Sequence, residues 1–169
     1  SHQLQATVNV GKHHRYNGIV AYSDYRRIKN EYLKDLTTLE SVLTTGLGDQ
    51  DTAVFRGWTI RGTVADILRN SKLNYDIGYD INLNSGRGGR IAGGSQNMQD
   101  YAVFASAEYK PHENITLRPG LRMAYNSLYP APLVPSLNVK YELPKITTLR
   151  FSYARGFRAP SLKELYFEF

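Results

Sequence analysis

Residues 73–83, LNYDIGYDINL, alternate without exception between an apolar residue and a polar or small one. A period of two puts the two sets on opposite faces of a β-strand, so one face meets an apolar medium and the other meets water. The stretch is longer than the usual strand of about 5–6 residues and matches the roughly 9–11 residues of a tilted strand that crosses a bilayer. It therefore favours a transmembrane strand over a strand of a soluble sandwich.

The same alternation recurs along the whole chain. Residues 115–125 repeat it in full, 137–143 and 149–153 repeat it over shorter stretches, and weaker versions lie at 4–10, 16–26, 54–66 and 99–110. Eight strands follow, each joined directly to the next. The predicted fold class is all-β, an antiparallel up-and-down transmembrane β-barrel segment.

The connections between these strands differ in length. Four are short (residues 11–13, 67–72, 111–113 and 144–145), two are long (30–53 and 85–97), and 127–133 is intermediate. Outer-membrane barrels have short turns on the periplasmic side and longer loops on the other, so the series assigns a side to each strand end. In the first long loop, Leu33, Leu36, Leu39 and Val42 recur every three residues and predict a short helix.

Tyrosine is abundant, with 13 in 169 residues, and amphipathic aromatic residues gather at membrane interfaces. On this topology two belts of tyrosines form. Those near the short-turn ends are Tyr16, Tyr75, Tyr109 and Tyr141, and those near the long-loop ends are Tyr25, Tyr101, Tyr125 and Tyr153. Tyr22 and Tyr79 fall mid-strand and depart from the pattern.

Composition excludes several classes of function. The net charge is +6, but Lys and Arg are spread along the chain rather than clustered, which argues against a nucleic-acid partner. Without cysteine there is no disulfide framework or thiolate metal site, and no catalytic motif such as HExxH or GxSxG occurs. We therefore expect no enzymatic activity, catalytic residues, cofactor or metal site.

The C-terminal segment 154–167, ARGFRAPSLKELYF, resembles the late-barrel signature of TonB-dependent outer-membrane receptors. Two earlier stretches, TLRPGLR at 116–122 and PSLNVKY at 135–141, look like consecutive barrel hairpins of the same family. The resemblance is specific over the C-terminal part of the chain and holds for the remainder only in pattern. Within it, Phe157, Arg158, Ala159 and Pro160 resemble a box of haem receptors that siderophore and cobalamin receptors also carry, expected here at the outer rim.

The resemblance implies a function. Members of that family are 22-stranded barrels with an N-terminal plug. They import ferric siderophores, haem or cobalamin across the outer membrane of Gram-negative bacteria. With eight strands and no recognisable plug, residues 1–169 are expected to be an internal part of the barrel domain. The implied partners are the nutrient ligand, TonB acting through the missing plug, and outer-membrane lipid.

Charged residues on the water-facing side of the strands, or in a loop, are the candidate ligand contacts: Asp76, Asp80, Arg118 and Arg122 in the lumen, and Arg87 and Arg90 in the loop after residue 85. For the lumen residues the favoured interpretation is a solvated or plug-contacting wall, because charges on that face cost little. For Arg87 and Arg90 the favoured interpretation is a mobile outer loop. Two alternatives stay open. One is a complete eight-stranded outer-membrane barrel with a structural or enzymatic role, and the other is a soluble basic β-sandwich that binds an acidic ligand.

Overall fold

The computed structural model describes residues 1–46, 48–66, 72–143 and 147–166. It consists almost entirely of β-strands, with one short helix at the C-terminal end. The elements are β1 (His2–Val10), β2 (His14–Asn30), β3 (Tyr32–Lys34), β4 (Ser41–Leu43), β5 (Gln50–Asp66), β6 (Leu73–Arg87), β7 (Ser95–His112), β8 (Ile115–Asn126), β9 (Val134–Leu143), β10 (Thr147–Ala154) and α1 (Leu162–Tyr166).

Eight of the strands form one antiparallel sheet in the order β1-β2-β5-β6-β7-β8-β9-β10. The predicted up-and-down segment of a transmembrane barrel is therefore confirmed. The sheet is open, since β1 and β10 are its two edges and do not pair with each other. A closed eight-stranded barrel is wrong for this chain, and so is a sandwich, because the described strands of the main sheet form a single layer.

The outward face of the sheet is the one that carries Leu73, Tyr75, Ile77, Tyr79, Ile81 and Leu83. Its large apolar side chains stay exposed, with Ile77 at 54% and Val103 at 57%. From Tyr75 to Leu83, the outward positions of β6 and their described register partners on β2, β5 and β7 carry no charged side chain. The same holds for every outward position of β8, β9 and β10. An apolar face of this extent is what the hydrocarbon core of a bilayer requires.

The outer end of the sheet is the end with the longer connections, where the strands run further than the sequence indicates. β2 reaches Asn30, β5 starts at Gln50, β6 reaches Arg87 and β7 starts at Ser95. The loop predicted at 85–97 is therefore only residues 88–94. At the opposite, short-turn end, Gly11 adopts the left-handed conformation (φ 68°) that a tight turn needs. The short turns predicted at 67–72 and 144–145 fall almost wholly outside the described residues.

The helix predicted in the first long loop is wrong, since residues 32–43 form the hairpin of β3 and β4, in which Leu33 pairs with Val42. The turn between these strands is closed by Asp35, whose Oδ1 accepts hydrogen bonds from the backbone N–H of Thr37 (2.7 Å) and Thr38 (3.3 Å). These bonds hold the pKa of Asp35 below its usual value. Asp favours such turns over helix interiors. Leu39, at φ 62°, completes a turn that a helix cannot contain.

No helix in the described part of the chain is long and apolar enough to span a membrane.

Candidate functional site

The inner face of the sheet, opposite the outward face, carries the polar half of each strand. Its most buried charged side chain is Asp80, only 3% exposed. Asp80 Oδ2 accepts a hydrogen bond from Arg61 Nη2 at 2.8 Å and another from Arg122 Nη2 at 3.2 Å. One carboxylate thus holds two guanidinium groups, and the trio retains one net positive charge at the centre of the wall.

The register explains how Arg122 reaches Asp80. Arg61 lies directly opposite Asp80 on β5, whereas Arg122 lies on β8 opposite Phe104 and extends diagonally across β7. Its guanidinium carbon sits 6.0 Å from the centroid of the Phe104 ring. The ring itself occupies the space above Gly78, where an added Cβ would come within 2.4 Å of it. Gly78 is therefore a packing requirement of this cluster.

Several other inner-face charges are paired in the wall. Asp76 accepts a hydrogen bond from Ser106 Oγ at 2.9 Å. Glu108 binds both Arg118 and Lys110, the latter at 3.2 Å. These pairs lie nearer the short-turn end of the sheet than Asp80 does. They are the arrangement expected of a solvated wall.

Two segments fold over the inner face at its outer end and form a roof: residues 127–133, and residues 155–166 after β10. The ring centroids of Tyr129 and Phe157 lie 6.3 Å apart, so the two segments touch. The Tyr129 hydroxyl reaches Asp100 Oδ1 on the wall at 3.5 Å. Burial, followed by the nearby Asp100 carboxylate, raises the pKa of Tyr129. The roof is therefore fixed to the wall at β7.

Helix α1 anchors the C-terminal part of this roof. Leu162 is buried, with its side chain in the space that a Cβ on Gly86 would occupy. The ammonium group of Lys163 lies 4.3 Å from the Tyr25 ring centroid and 4.6 Å from that of Phe55, a distance at which both rings attract the cation. Backbone Ala92 N–H also donates to Tyr166 O at 3.1 Å.

Two cavities lie between the roof and the wall. The larger, about 400 Å³, is lined by Ser23, Asn84 and Asp100 on the wall and by Pro160 and Lys163 on the roof. The smaller, about 180 Å³, lies over Asp80, Asn82 and Arg122, with Tyr129 and Phe157 above them. Both are bounded by Asp100 and Ala159. The cavities combine hydrogen-bonding groups, cations and aromatic rings, a typical lining for a small-molecule site.

The candidate residues named from the sequence separate into three groups. Phe157, Ala159, Pro160, Asp80 and Arg122 line the cavities. Asp76 and Arg118 belong to the wall pairs, while Arg158 forms an ion pair with Glu164 in the roof. Arg87 is not in the loop but ends β6 on the outward face, away from the cavities, and Arg90 lies in the 88–94 connection.

Sequence reasoning missed Tyr129, Asp100, Asn84 and Lys163, along with helix α1. The helix had a detectable signal, since Ser161 and Glu164 form a capping box. Ser161 N–H donates to the Glu164 carboxylate at 2.7 Å, and Glu164 N–H donates to Ser161 Oγ at 3.3 Å. The other residues had no local signal, because only the fold of the two roof segments brings them to the wall.

No group of three or more potential metal ligands occurs among the residues with described positions. The histidines lie away from the cavities: His13, His14 and His112 are at the short-turn end, and His2 pairs with Tyr22 at the edge of the sheet. His14 Nε2 lies within hydrogen-bonding distance, 2.8 Å, of the Tyr75 hydroxyl.

Comparison with known proteins gives consistent matches. A family model described as TonB dependent receptor-like, beta-barrel, matches residues 2–169. The ferric enterobactin receptor of Pseudomonas aeruginosa is 24% identical over 176 residues, which cover 89% of this chain and 23% of that receptor. The chain thus spans about a quarter of the length of the curated relative.

Solved structures share the fold at low identity. A variant of the ferric enterobactin receptor from Pseudomonas aeruginosa matches with a TM-score of 0.74 at 21% identity, covering 96% of this chain and 26% of that one. The siderophore receptor PirA from the same organism matches with a TM-score of 0.62 at 15% identity, covering 95% of this chain and 35% of that one.

Proposed function

Because this chain belongs to the TonB-dependent receptor β-barrel family, whose members are receptors and transporters rather than enzymes, we propose that it forms part of an outer-membrane receptor for an iron siderophore. Residues 1–169 are assigned to the barrel domain, in the outer membrane of a Gram-negative bacterium. Uptake, TonB coupling and lipid contact are properties proposed for the intact receptor, of which this chain spans a part.

The observation that carries the proposal is the pair of roofed cavities on the inner face. Phe157 and Tyr129 present aromatic surface to the smaller cavity. Arg56 and Lys163 border the larger cavity, where Asp100 is the one carboxylate among the described lining residues. This combination suits an anionic ligand with aromatic groups, since cations attract the charge and rings pack against rings. From Tyr75 to Leu83, the outward positions of β6 and their described register partners carry no charged side chain, which supports a membrane location in the same structure.

A siderophore is favoured over haem by the position of the histidines. Haem iron is commonly held by a protein side chain, most often His, and none of the described residues lining the two cavities is a histidine. The relatives named above are described as receptors for ferric enterobactin and for a siderophore. We therefore assign the ligand to the siderophore class and make haem and cobalamin outcomes of the test.

The test uses the full-length receptor that contains this chain, expressed in a Gram-negative strain without receptors of its own for the three ligands. Uptake of radiolabelled ferric enterobactin, haemin and cyanocobalamin is measured in the presence and absence of TonB. TonB-dependent uptake of the ferric siderophore is expected. Uptake of haemin or cyanocobalamin alone would refute the assignment.

A matched pair of variants then tests the site. Phe157→Ala removes an aromatic ring from the roof of the smaller cavity. We expect it to raise the siderophore concentration at which uptake is half-saturated. Phe151→Ala removes a ring of the same size from the outward face of β10. Equal effects of the two substitutions would show that the loss of affinity comes from the barrel as a whole and not from the cavities.

A further inference from the structure

The outward face carries a group of arginines at the outer ends of three adjacent strands, which we name the arginine patch: Arg26 on β2, Arg56 on β5 and Arg87 on β6. Arg26 and Arg87 both pair in register with Val54, one on either side of it. Their Cα atoms are therefore about 10 Å apart, two strand spacings, and Arg56 lies about 7 Å further in on the same face. The three arginines therefore share one small area of the outward face.

The charge of the patch is largely unneutralised. Asp24 is the single acidic neighbour on this face among the described strand residues, and its Oδ2 accepts a hydrogen bond from Arg56 Nε at 2.9 Å. Arg26 and Arg87 are exposed, and neither has an ion-pair partner in the part of the chain that the structure describes. Four ionised groups thus leave two net positive charges on a surface that faces away from the lumen.

The height of the patch relative to the membrane follows from the aromatic pair beneath it. Tyr22 and Trp58 pack with ring centroids 4.8 Å apart on the outward face. Such residues sit at the level of the lipid headgroups. Arg56 is two residues beyond Trp58 and Arg26 is four beyond Tyr22, or about 7–13 Å along strands that tilt by roughly 35–45°. The patch therefore lies in the layer of headgroup phosphates, just above the first apolar row.

The patch is also local. Moving across the sheet, the outermost outward positions of β7 are Ser95, Asn97 and Gln99, and β8 and β10 end in Tyr125 and Tyr153. Cations at that height are confined to β2, β5 and β6 among the described strands. A general need for solubility at the rim would have distributed them evenly, whereas a single binding partner explains a cluster.

We propose that the arginine patch binds the phosphate groups of a phosphorylated lipid in the leaflet at the outer end of the barrel. Guanidinium groups bind phosphate oxygens in bidentate fashion, and the separation of Arg26 and Arg87 suits a headgroup with two phosphates. The acyl chains of the same lipid extend downward over Tyr22, Trp58 and the apolar rows below. Arg56 also borders the larger cavity, whereas Arg26 and Arg87 line neither cavity. Lipid binding by Arg26 and Arg87 is therefore separable from nutrient uptake.

The test measures lipid binding by the full-length receptor in detergent, with lipid A as the probe and native mass spectrometry as the readout. The double variant R26Q/R87Q leaves the Arg56–Asp24 pair intact. We expect it to bind lipid A about 30-fold more weakly, since each arginine at an anionic lipid surface contributes roughly fivefold. The control R150Q removes a charge from the inner face and should bind as the wild type does.

Two further arms separate the sources of binding. Enzymatically dephosphorylated lipid A should bind the wild type as weakly as lipid A binds the double variant. Inorganic phosphate at the same concentration should not displace the lipid, because it lacks the acyl chains. Heat-modifiable migration in SDS shows whether R26Q/R87Q is correctly folded. If the folded variant binds lipid A with unchanged affinity, the proposal is overturned. Equal binding of phosphorylated and dephosphorylated lipid A would overturn it as well.

Discussion

The hydroxyl groups of Tyr16 and Tyr79 lie 3.1 Å apart on the outward face, although strand β5 runs between their own strands. They meet because Gly62 lies on β5 directly opposite Tyr79 and leaves room for its ring. A Cβ added to Gly62 would come within 2.5 Å of that ring. A tyrosine in the middle of a transmembrane strand thereby satisfies its hydroxyl on the apolar face.

Replacing Gly62 should therefore destabilise the barrel. Gly62→Ala forces the Tyr79 ring to move and breaks the bond to Tyr16, and we expect the free energy of unfolding to fall by about 1–3 kcal/mol. Urea-induced unfolding of the receptor in lipid vesicles measures it. The control Tyr79→Phe keeps the ring and loses only the hydroxyl bond, for about 0.5–1.5 kcal/mol. A larger loss in the control than in Gly62→Ala would contradict the packing argument.

Removing the Asp80 carboxylate should leave two arginines facing each other on the wall. Asp80 is almost fully buried, but the Arg61 and Arg122 side chains are 50% and 41% exposed, so solvent screens part of the cost. We expect Asp80→Asn to lower the free energy of unfolding by about 1–2 kcal/mol, measured by the same urea titration. Asp76→Asn is the matched control, because Ser106 can donate equally to an amide oxygen. Equal losses would show that the trio has no special role.

Replacing Lys163 with an uncharged residue should weaken the attachment of the roof to the wall. Lys163→Met removes the attraction to the Tyr25 and Phe55 rings, and Lys163→Arg keeps a cation there. We expect the Met variant to be cleaved by trypsin after Arg155 and Arg158 about three- to tenfold faster than the Arg variant, because cleavage follows the open population of the roof. Identical cleavage rates would mean that the Lys163 cation does not help to hold helix α1, leaving Leu162 and the Ala92–Tyr166 hydrogen bond as its anchors.

Acid should release the same helix through Glu164. The N–H of Ser161 donates to the Glu164 carboxylate, and with Arg158 nearby it holds the pKa of Glu164 below its usual value. A lowered folded-state pKa means that the stabilisation is complete above the unfolded value of about 4.3 and is lost as pH falls through the folded value.

A fluorophore on Tyr166→Cys in this cysteine-free chain reports the release. Its signal should stay constant above about pH 4.3 and change below it. The variant Glu164→Gln should lack that transition. If the transition persists in Glu164→Gln, another group is responsible for the acid sensitivity.

Most of the sheet was predictable, because the alternation of apolar and polar side chains that defines the two faces of a strand recurs at every second residue. The alternation in 73–83 sets which side chains face lipid, and a slip of one residue would reverse every one of them. Strand ends were less accessible to prediction. β2 and β5 continue beyond the membrane as a paired hairpin in water, where the apolar half of the pattern stops. Their backbone pairing nevertheless extends from the pair His14 and Asp66 to the pair Asn30 and Gln50.

The site was predictable only in part. Asp80 and Arg122 could be placed on the inner face from periodicity alone. Their contact also depends on the Phe104 ring, which packs over Gly78 and beside which the Arg122 side chain extends. The hairpin at 32–43 was mistaken for a helix because its leucine spacing fits both structures. The bonds accepted by Asp35 decide between the two, and they depend on a turn that residue spacing does not encode.

The hairpin of β2 and β5 has a practical consequence. Each strand is 17 residues long, or about 56 Å at 3.3 Å per residue, whereas a tilted strand needs only about 9–11 residues to cross a bilayer. The surplus lifts the turn at Thr37 and Thr38 well above the lipid on a rigid two-stranded support. An epitope tag inserted between these two residues would be displayed to antibodies on intact cells while the membrane-embedded part of the barrel keeps its own sequence.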